Sequence, residues 1–173
     1  MLLEAIKNRR SIRAYKDTPV SKEQLKILLE AAMLSPSACN TRPWKFIAVT
    51  RRETLNALAD VHKWAQMLRT APAAIVMLAL PETQAGIHDG LAEGYFPQDL
   101  GAATESILIQ AESMGLSACW CGVFPKDPLI KAVREVLGLS ENDLPFNIIA
   151  VGERGESPAA RGAYDENKVA WIE

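Results

Sequence analysis

The sequence predicts one globular domain, residues 1–173, that contains both helices and strands. Its 173 residues are 49% hydrophobic and 23% charged, which is typical of a single domain able to bury its own core. An apolar run over 73–80, bounded by Pro72 and Pro81, indicates a strand buried on both faces. Apolar residues spaced by three and four over 99–114 indicate a long core helix.

The first half of the chain predicts alternating helices and strands. Ser21 and Gln24 have the spacing of a capping box, so a helix should cover 22–34 and end before Pro36, which disfavours helical geometry in the residue preceding it. The elements expected on either side are a helix over 4–8, a strand over 44–50, a helix over 51–62 and a short helix over 64–70.

The second half begins with a segment, 82–97, whose glycines and lack of periodicity predict a mobile surface loop. The core helix should then end at Gly115. A strand over 116–123, a helix over 128–137 and a strand over 146–151 are expected to follow it. A fifth strand over 168–172 would stand on a long loop-like arm, which suggests exchange with a partner chain.

Composition excludes several classes of function. The formal net charge is −2, although 7–16 (KNRRSIRAYK) is strongly basic, so a broad nucleic-acid-binding face is not expected. Three cysteines and two histidines in no zinc-like spacing argue against a metal site and for a reducing compartment. Without a signal-like or membrane-spanning apolar run, we expect a cytoplasmic protein that binds no membrane.

The basic segment is the first candidate site. If the chain is extended after 4–8, then Arg9, Ser11 and Arg13 point to one side. Two guanidinium groups and a hydroxyl make a suitable phosphate clamp, because arginine forms bidentate hydrogen bonds with phosphate. A solvated, basic helix end explains the charge equally well, and no glycine-rich phosphate loop accompanies the segment.

Two further stretches could line a site. The loop 35–44 (SPSACNTRPW) offers small residues and an amide to a flat ligand, although it could simply connect a helix to a strand. In 117–125 (SACWCGVFP) a glycine at a strand end could present backbone amides. Cys119 and Cys121 have no basic neighbour in sequence to lower a thiol pKa, so buried structural cysteines are expected. His62 and His88 lack a triad partner, and we expect exposed or capping side chains.

In this order and separation, the motifs RRSIRAY, PSACNTRPWKF and GLSACWCGVFP resemble those of the nitroreductase family of FMN-dependent oxidoreductases. The resemblance covers nearly the whole chain. It implies an α+β fold with a mostly antiparallel central sheet flanked by helices. It also implies an intertwined homodimer with C-terminal strand exchange and two FMN sites at the subunit interface.

The resemblance also implies roles for particular residues. The basic segment and the strand end would contact the cofactor of their own subunit. The loop over 36–40, which we call the PSACN loop, would reach the flavin, usually that of the partner subunit. Arg161 matches a basic position that reaches the phosphate. The implied FMN-binding set is Arg9, Arg10, Ser11, Arg13, Pro36, Ser37, Ala38, Asn40, Cys121, Gly122 and Arg161.

The implied activity is hydride transfer from NAD(P)H through FMN to a nitroaromatic compound, a quinone or a similar small acceptor, in a ping-pong cycle. No side chain is needed as catalytic acid or base, and Arg13 would act as a cation that tunes the flavin. Two alternatives stay open. One is a flavin-binding protein for storage or sensing without significant turnover, and the other is a flavin-dependent dehydrogenase or dehalogenase on the same fold.

Overall fold

A computed structural model describes residues 1–160, 162 and 164–173. The chain folds around a four-stranded antiparallel sheet with the strand order β1-β2-β4-β3. In chain order, the elements are α1 (Glu4–Asn8), α2 (Lys22–Met33), β1 (Trp44–Val49), α3 (Arg52–Val61), β2 (Ala73–Ala79), α4 (Phe96–Ser113), β3 (Ser117–Gly122), α5 (Asp127–Leu137) and β4 (Leu144–Gly152).

Helices cover both faces of the sheet, which explains why its central strands, β2 and β4, are apolar except at Asn147. Every residue of β2 is buried. Ala74, Val76 and Leu78 pack in one core with α3 and α5, whereas Ile75 and Met77 pack in a second core with α2 and α4. Because successive side chains of a strand point to opposite faces, a continuous apolar run is required here. The predicted α+β architecture is confirmed.

The predicted boundaries hold closely. Ser21 Oγ accepts a hydrogen bond from the Gln24 amide at 3.1 Å and the Ser21 amide donates to Gln24 Oε1 at 2.8 Å, so the capping box is present. The core helix α4 begins at Phe96, three residues before the predicted start. Pro97 explains the difference, because proline is compatible with the first helical turn.

The basic segment crosses the sheet end beside β3. Ser11 pairs in parallel with Ala118, and Tyr15 forms an antiparallel bridge with Arg154. Gly155 lies against the same crossing, where a Cβ atom would come within 3.2 Å of the Ala14 carbonyl group. The pairing beside β3 stops at Ala118, which leaves the outer edge of the strand beyond it open to a cavity.

The C-terminal tail differs from its prediction. Residues 168–172 form no strand in the single chain; a one-turn 3-10 helix covers Glu166–Lys168 and the tail beyond it is exposed. A strand needs hydrogen bonds to a neighbouring strand, and the tail pairs with no strand of its own subunit. Exchange with a partner chain therefore stays a prediction. No helix in the described part of the chain has the length and hydrophobicity to cross a membrane.

Candidate functional site

The basic segment lines a cavity of about 310 Å³, which we call the basic cavity. Ile12 is fully buried in the core while its neighbours Ser11 and Arg13 are exposed, so the predicted alternation is present. Arg10 also faces the cavity, because it lies where the chain leaves α1. The lining residues are Arg9, Arg10, Ser11, Arg13, Glu156, Pro158 and Ala159.

Local contacts orient the first two arginines of the basic cavity. Arg10 Nη1 donates to the carbonyl oxygens of Lys7, at 2.9 Å, and of Arg9, at 2.7 Å, and so caps the end of α1. Arg9 Nε lies 3.1 Å from Glu105 Oε1 in α4, an ion pair without hydrogen-bond geometry. The Nε atoms of Arg9 and Arg10 are both buried and make no hydrogen bond, so this donor set is incompletely satisfied.

One carboxylate shares the basic cavity. Glu156 Oε1 accepts hydrogen bonds from the backbone amides of Arg13 and Ala14, the latter at 3.2 Å. Three guanidinium groups against Glu156 and against Glu105, the ion-pair partner of Arg9, still leave the site net positive by one charge. Such a cavity favours an anion with several acceptor oxygens, since charge-assisted hydrogen bonds to guanidinium groups are the strongest available here.

A second cavity, which we call the ring cavity, adjoins the first at Arg13 and has a volume of about 430 Å³. Three aromatic side chains contribute to its wall, which suits a flat, conjugated ligand. Its lining residues are Arg13, His62, Trp64, Cys119, Trp120, Cys121, Gly122, Phe124 and Lys126.

Strand β3 offers peptide groups to the ring cavity through its outer edge. The Val123 amide donates to Phe146 of β4, whereas the Ala118 carbonyl accepts from Ile12 on the opposite side. Peptide groups alternate between the two edges of a strand, so Gly122 faces outward with Ala118. The side chain of Cys121 is buried, and its peptide faces β4.

The two strand cysteines are buried, as predicted, but their acid–base properties differ from expectation. The neighbouring Cys121 thiol and the charge of Arg13 lower the pKa of Cys119, against the opposing effect of burial. The neighbouring Cys119 thiol and burial raise the pKa of Cys121. No basic residue is close to these cysteines in sequence. Arg13 comes near them only because the folded chain brings the basic segment beside β3.

The PSACN loop lines neither of these cavities within one subunit. Pro36 and Asn40 line a separate cavity beside α2, of about 550 Å³. The Ser37 hydroxyl accepts from the Arg42 amide at 2.9 Å, and Asn40 Oδ1 accepts from Arg42 Nε at 3.1 Å. These contacts fold the loop back on itself, so the implied role of Pro36 to Asn40 at a flavin requires a partner subunit.

Asp99, at the start of α4, fixes the PSACN loop and was not singled out in the sequence. Its side chain is only 6% exposed. Asp99 Oδ1 accepts from the Ala38 amide at 3.0 Å, and Oδ2 accepts from Gln84 Nε2 at 2.7 Å. Gln84 is fully buried, which the predicted surface loop over 82–97 did not foresee. An acid in the first turn of a helix is common, so nothing local distinguished this one.

Other wall residues were also missed or described wrongly. Trp64, Lys126 and Glu156 reach the cavities through tertiary packing, and only the aromatic character of Trp64 offered a signal. His62 was expected to be exposed or capping; its side chain is buried, and it stands at the C-cap position of α3, where Nδ1 accepts from the Trp64 amide. Arg161 lies outside the described residues. Among those the structure describes, no cluster of three or more candidate ligands forms a metal site.

Comparison with known proteins places these motifs in a family. A sequence model described as "Nitroreductase family" matches residues 6–66 and 56–153. A protein from Methanothermobacter thermautotrophicus, provisionally named an NADH dehydrogenase/NAD(P)H nitroreductase, is 37% identical over 168 residues. That alignment covers 97% of this chain and 85% of the relative.

Solved structures share the fold over almost the whole chain. An FMN-dependent nitroreductase from Clostridium difficile superposes with a TM-score of 0.85 at 31% identity, covering 98% of both chains. A protein from Desulfovibrio desulfuricans, provisionally described as a nitroreductase and crystallised in complex with FMN, gives a TM-score of 0.81 at 26% identity. It is covered over 95% of its length and 98% of this chain.

Proposed function

This chain belongs to the nitroreductase family, and on that premise we propose that it is an FMN-dependent oxidoreductase that uses NAD(P)H as electron donor. The observation that carries the proposal is the pair of adjoining cavities, one basic and one aromatic, that meet at Arg13. A phosphate tail and a flat ring require these two environments side by side.

The phosphate end of FMN fits the basic cavity. Arg9, Arg10 and Ser11 supply donors there, and the buried Nε atoms of both arginines lack hydrogen bonds. A ligand with several acceptor oxygens would accept charge-assisted hydrogen bonds from the guanidinium groups and a hydrogen bond from the Ser11 hydroxyl. We assign Arg161 to the same group on the resemblance alone.

The ring end of FMN fits the ring cavity. Trp120 and Phe124 supply apolar surface, and the outward backbone amide of Gly122, next to Cys121, supplies a hydrogen-bond donor. Arg13 stands between the two cavities and places its positive charge near the ring, where it would stabilise negative charge on the reduced cofactor. In a dimer, Pro36, Ser37, Ala38 and Asn40 would reach the cofactor of the partner subunit.

The protein then has to bind the cofactor, orient it and shield it from water. Bound FMN supplies the redox chemistry, accepting hydride from NAD(P)H and passing it to a nitroaromatic compound, a quinone or a similar small acceptor in a ping-pong cycle. Hydride transfer itself requires no side chain as acid or base. The described walls of the ring cavity offer aromatic groups, cationic groups and the thiols of Cys119 and Cys121, with His62 held by backbone contacts.

Anaerobic mixing of the FMN-loaded protein with NADH or NADPH tests the activity. We expect the flavin absorbance to bleach within a second, and to return when a nitroaromatic compound or a quinone is added. A protein that binds FMN but leaves it oxidised with both donors would be a storage or sensor protein, and the oxidoreductase proposal would be wrong. A colourless protein that does not bind added FMN would overturn the cofactor assignment as well.

We also propose a homodimer. The single chain exposes large apolar side chains that a monomer would leave in water, including Leu34 at 79%, Trp171 at 78% and Ile172 at 99%. Apolar surface of this kind marks an interaction site. Two further features are explained if two chains exchange contacts. The tail has no strand partner in its own subunit, and the PSACN loop lines neither the basic cavity nor the ring cavity of its own subunit.

Removal of residues 164–173 is expected to weaken or abolish the dimer, because Trp171 and Ile172 would no longer be buried against the partner. Light scattering on a size-exclusion column over a range of protein concentrations would measure this. Deletion of Glu173 alone is the control and should leave the assembly unchanged. If the truncated chain stays as dimeric as the full chain, the tail is not part of the interface.

A further inference from the structure

His62 connects two walls of the ring cavity. It follows the last residue of α3, and its side chain is 3% exposed. The Trp64 backbone amide lies 3.3 Å from Nδ1, and the Gly122 carbonyl oxygen lies 3.0 Å from Nε2. Both contacts are with main-chain groups, so the imidazole links the Trp64 segment to the outer edge of β3.

These contacts determine which ring nitrogen carries the proton. A backbone amide can only donate, so Nδ1 must accept from Trp64. A carbonyl oxygen can only accept, so Nε2 must carry the proton and donate to Gly122. The neutral Nε2–H tautomer is therefore the one form of His62 that satisfies both contacts.

The surroundings favour this neutral form. Burial, the largest cause, lowers the pKa of His62 against the opposing effect of its hydrogen bond to Gly122, and the positive charge of Lys126 lowers the pKa further. Lys63 and Arg13 are the other charged groups that line the cavities beside His62. The strand side offers the thiols of Cys119 and Cys121. A doubly protonated ring would also turn Nδ1 into a donor facing the Trp64 amide.

His62 is itself held firmly in place. Its amide donates to the Leu58 carbonyl at 3.1 Å, and its carbonyl accepts from the Ala65 amide at 2.8 Å. Gly122, by contrast, lies on the free edge of β3, beyond the point where the basic segment pairs with Ala118. A Cβ atom at Gly122 would meet nothing within 4 Å. The hydrogen bond from His62 thus takes the place of a neighbouring strand at an otherwise unsupported peptide.

We propose that His62 is a positioning residue that holds the Gly122 peptide in the wall of the ring cavity and so supports binding and reduction of the flavin ring. This role rests on the proposed function. His62 acts through Gly122 and is not required to touch the cofactor. Because it acts at the ring, its contribution should be the same for FMN and for riboflavin, which lacks the phosphate.

Two conservative variants distinguish the hydrogen bond of His62 with Gly122 from its hydrogen bond with Trp64. His62→Gln keeps a donor long enough to reach the Gly122 carbonyl, whereas His62→Asn keeps an acceptor near Trp64 but is too short to reach Gly122. We expect the asparagine variant to bind both FMN and riboflavin about tenfold more weakly, the effect of one well-made hydrogen bond. The glutamine variant should stay within about threefold of the wild type. His88→Asn, at the exposed second histidine, is the control and should bind as the wild type does.

Fluorescence titration of the apo protein with each flavin gives the dissociation constants, and stopped-flow reduction by NAD(P)H gives the rate. The rate should fall about tenfold in the asparagine variant only. Equal effects of both variants, or weaker binding of FMN without weaker binding of riboflavin, would overturn the role of His62 while leaving the proposed function intact.

Nitrogen-15 NMR of the histidine rings in the flavin-free protein tests the geometry without any activity. We expect the Nε2–H tautomer for His62 at neutral pH, and an Nδ1–H tautomer would overturn the proposal. A wild-type protein that binds neither flavin would overturn the proposed function, and the role of His62 at a flavin would fail with it.

Discussion

Replacement of Arg13 by alanine is expected to weaken FMN binding on the order of 100-fold. Among the described residues, Arg13 is the one that lines both the basic cavity and the ring cavity. Its guanidinium group can therefore serve both ends of the cofactor. Hydrogen bonds to charged groups contribute about 1.5–3 kcal/mol each, and the loss of one or two of them corresponds to an affinity change of this size.

The fold should survive the Arg13→Ala substitution. The side chain is exposed, and the contact that anchors this residue, the hydrogen bond to Glu156, comes from its backbone amide. Circular dichroism and the unfolding midpoint should be close to those of the wild type. A loss of FMN affinity would then report on the site rather than on stability.

Arg13→Lys and Lys16→Ala are the matched controls for this prediction. Lysine keeps the positive charge but loses the planar fork that binds oxygens in pairs, so we expect a loss of about tenfold. Lys16 belongs to the same segment but pairs with Glu153, at 3.5 Å, and its removal should leave FMN binding unchanged. Full retention of FMN by Arg13→Ala after dialysis would contradict the assignment of Arg13 to the cofactor.

The basic segment over 7–16 shows which parts of the site can be predicted from sequence. The alternation of Arg9, Ser11 and Arg13 around the buried Ile12 is a local property, because the period of two in an extended chain follows from backbone geometry. The apolar run of β2 is equally local. Sequence therefore identified the central strand, the helices and the basic side of the site.

The remaining walls depend on contacts between distant segments. His62 and Gly122 are brought together by the packing of α3 against the sheet, and neither residue carries a local pattern that names the other. Glu156 enters the basic cavity only because the chain after β4 crosses the basic segment. The tail over 168–172 shows a different limit, because its strand-like pattern pairs with no strand of its own chain, and the exchanged strand stays a prediction.

Replacement of Asp99 by asparagine is expected to lower the free energy of unfolding by about 2–3 kcal/mol. Both carboxylate oxygens accept hydrogen bonds in a buried position, one from the Ala38 amide and one from Gln84 Nε2. Asparagine has one acceptor oxygen, so its NH2 group must face one of the two donors. A buried donor is then left without a partner, and the charge-assisted bonds are lost as well.

The Asp99→Asn substitution should increase amide hydrogen exchange more in the PSACN loop than in the rest of the molecule. Cys39, Asn40 and Arg42 all have positive φ values, of 50°, 53° and 49°. Residues other than glycine hold this conformation only where their surroundings impose it. Because Asp99 is a support for this loop, we expect the Ala38 amide to exchange its hydrogen faster in the variant, beyond what the global loss of stability explains.

Urea unfolding and amide exchange measure the two effects separately, and Asp89→Asn is the control. Asp89 is an exposed acid in the segment that precedes α4, and its replacement should change neither quantity. Equal stability of the Asp99→Asn variant and the wild type would contradict the support that this carboxylate is proposed to give. If the PSACN loop reaches the flavin of the partner subunit, Asp99→Asn should also weaken FMN binding in the dimer, although Asp99 lines neither cavity of its own subunit.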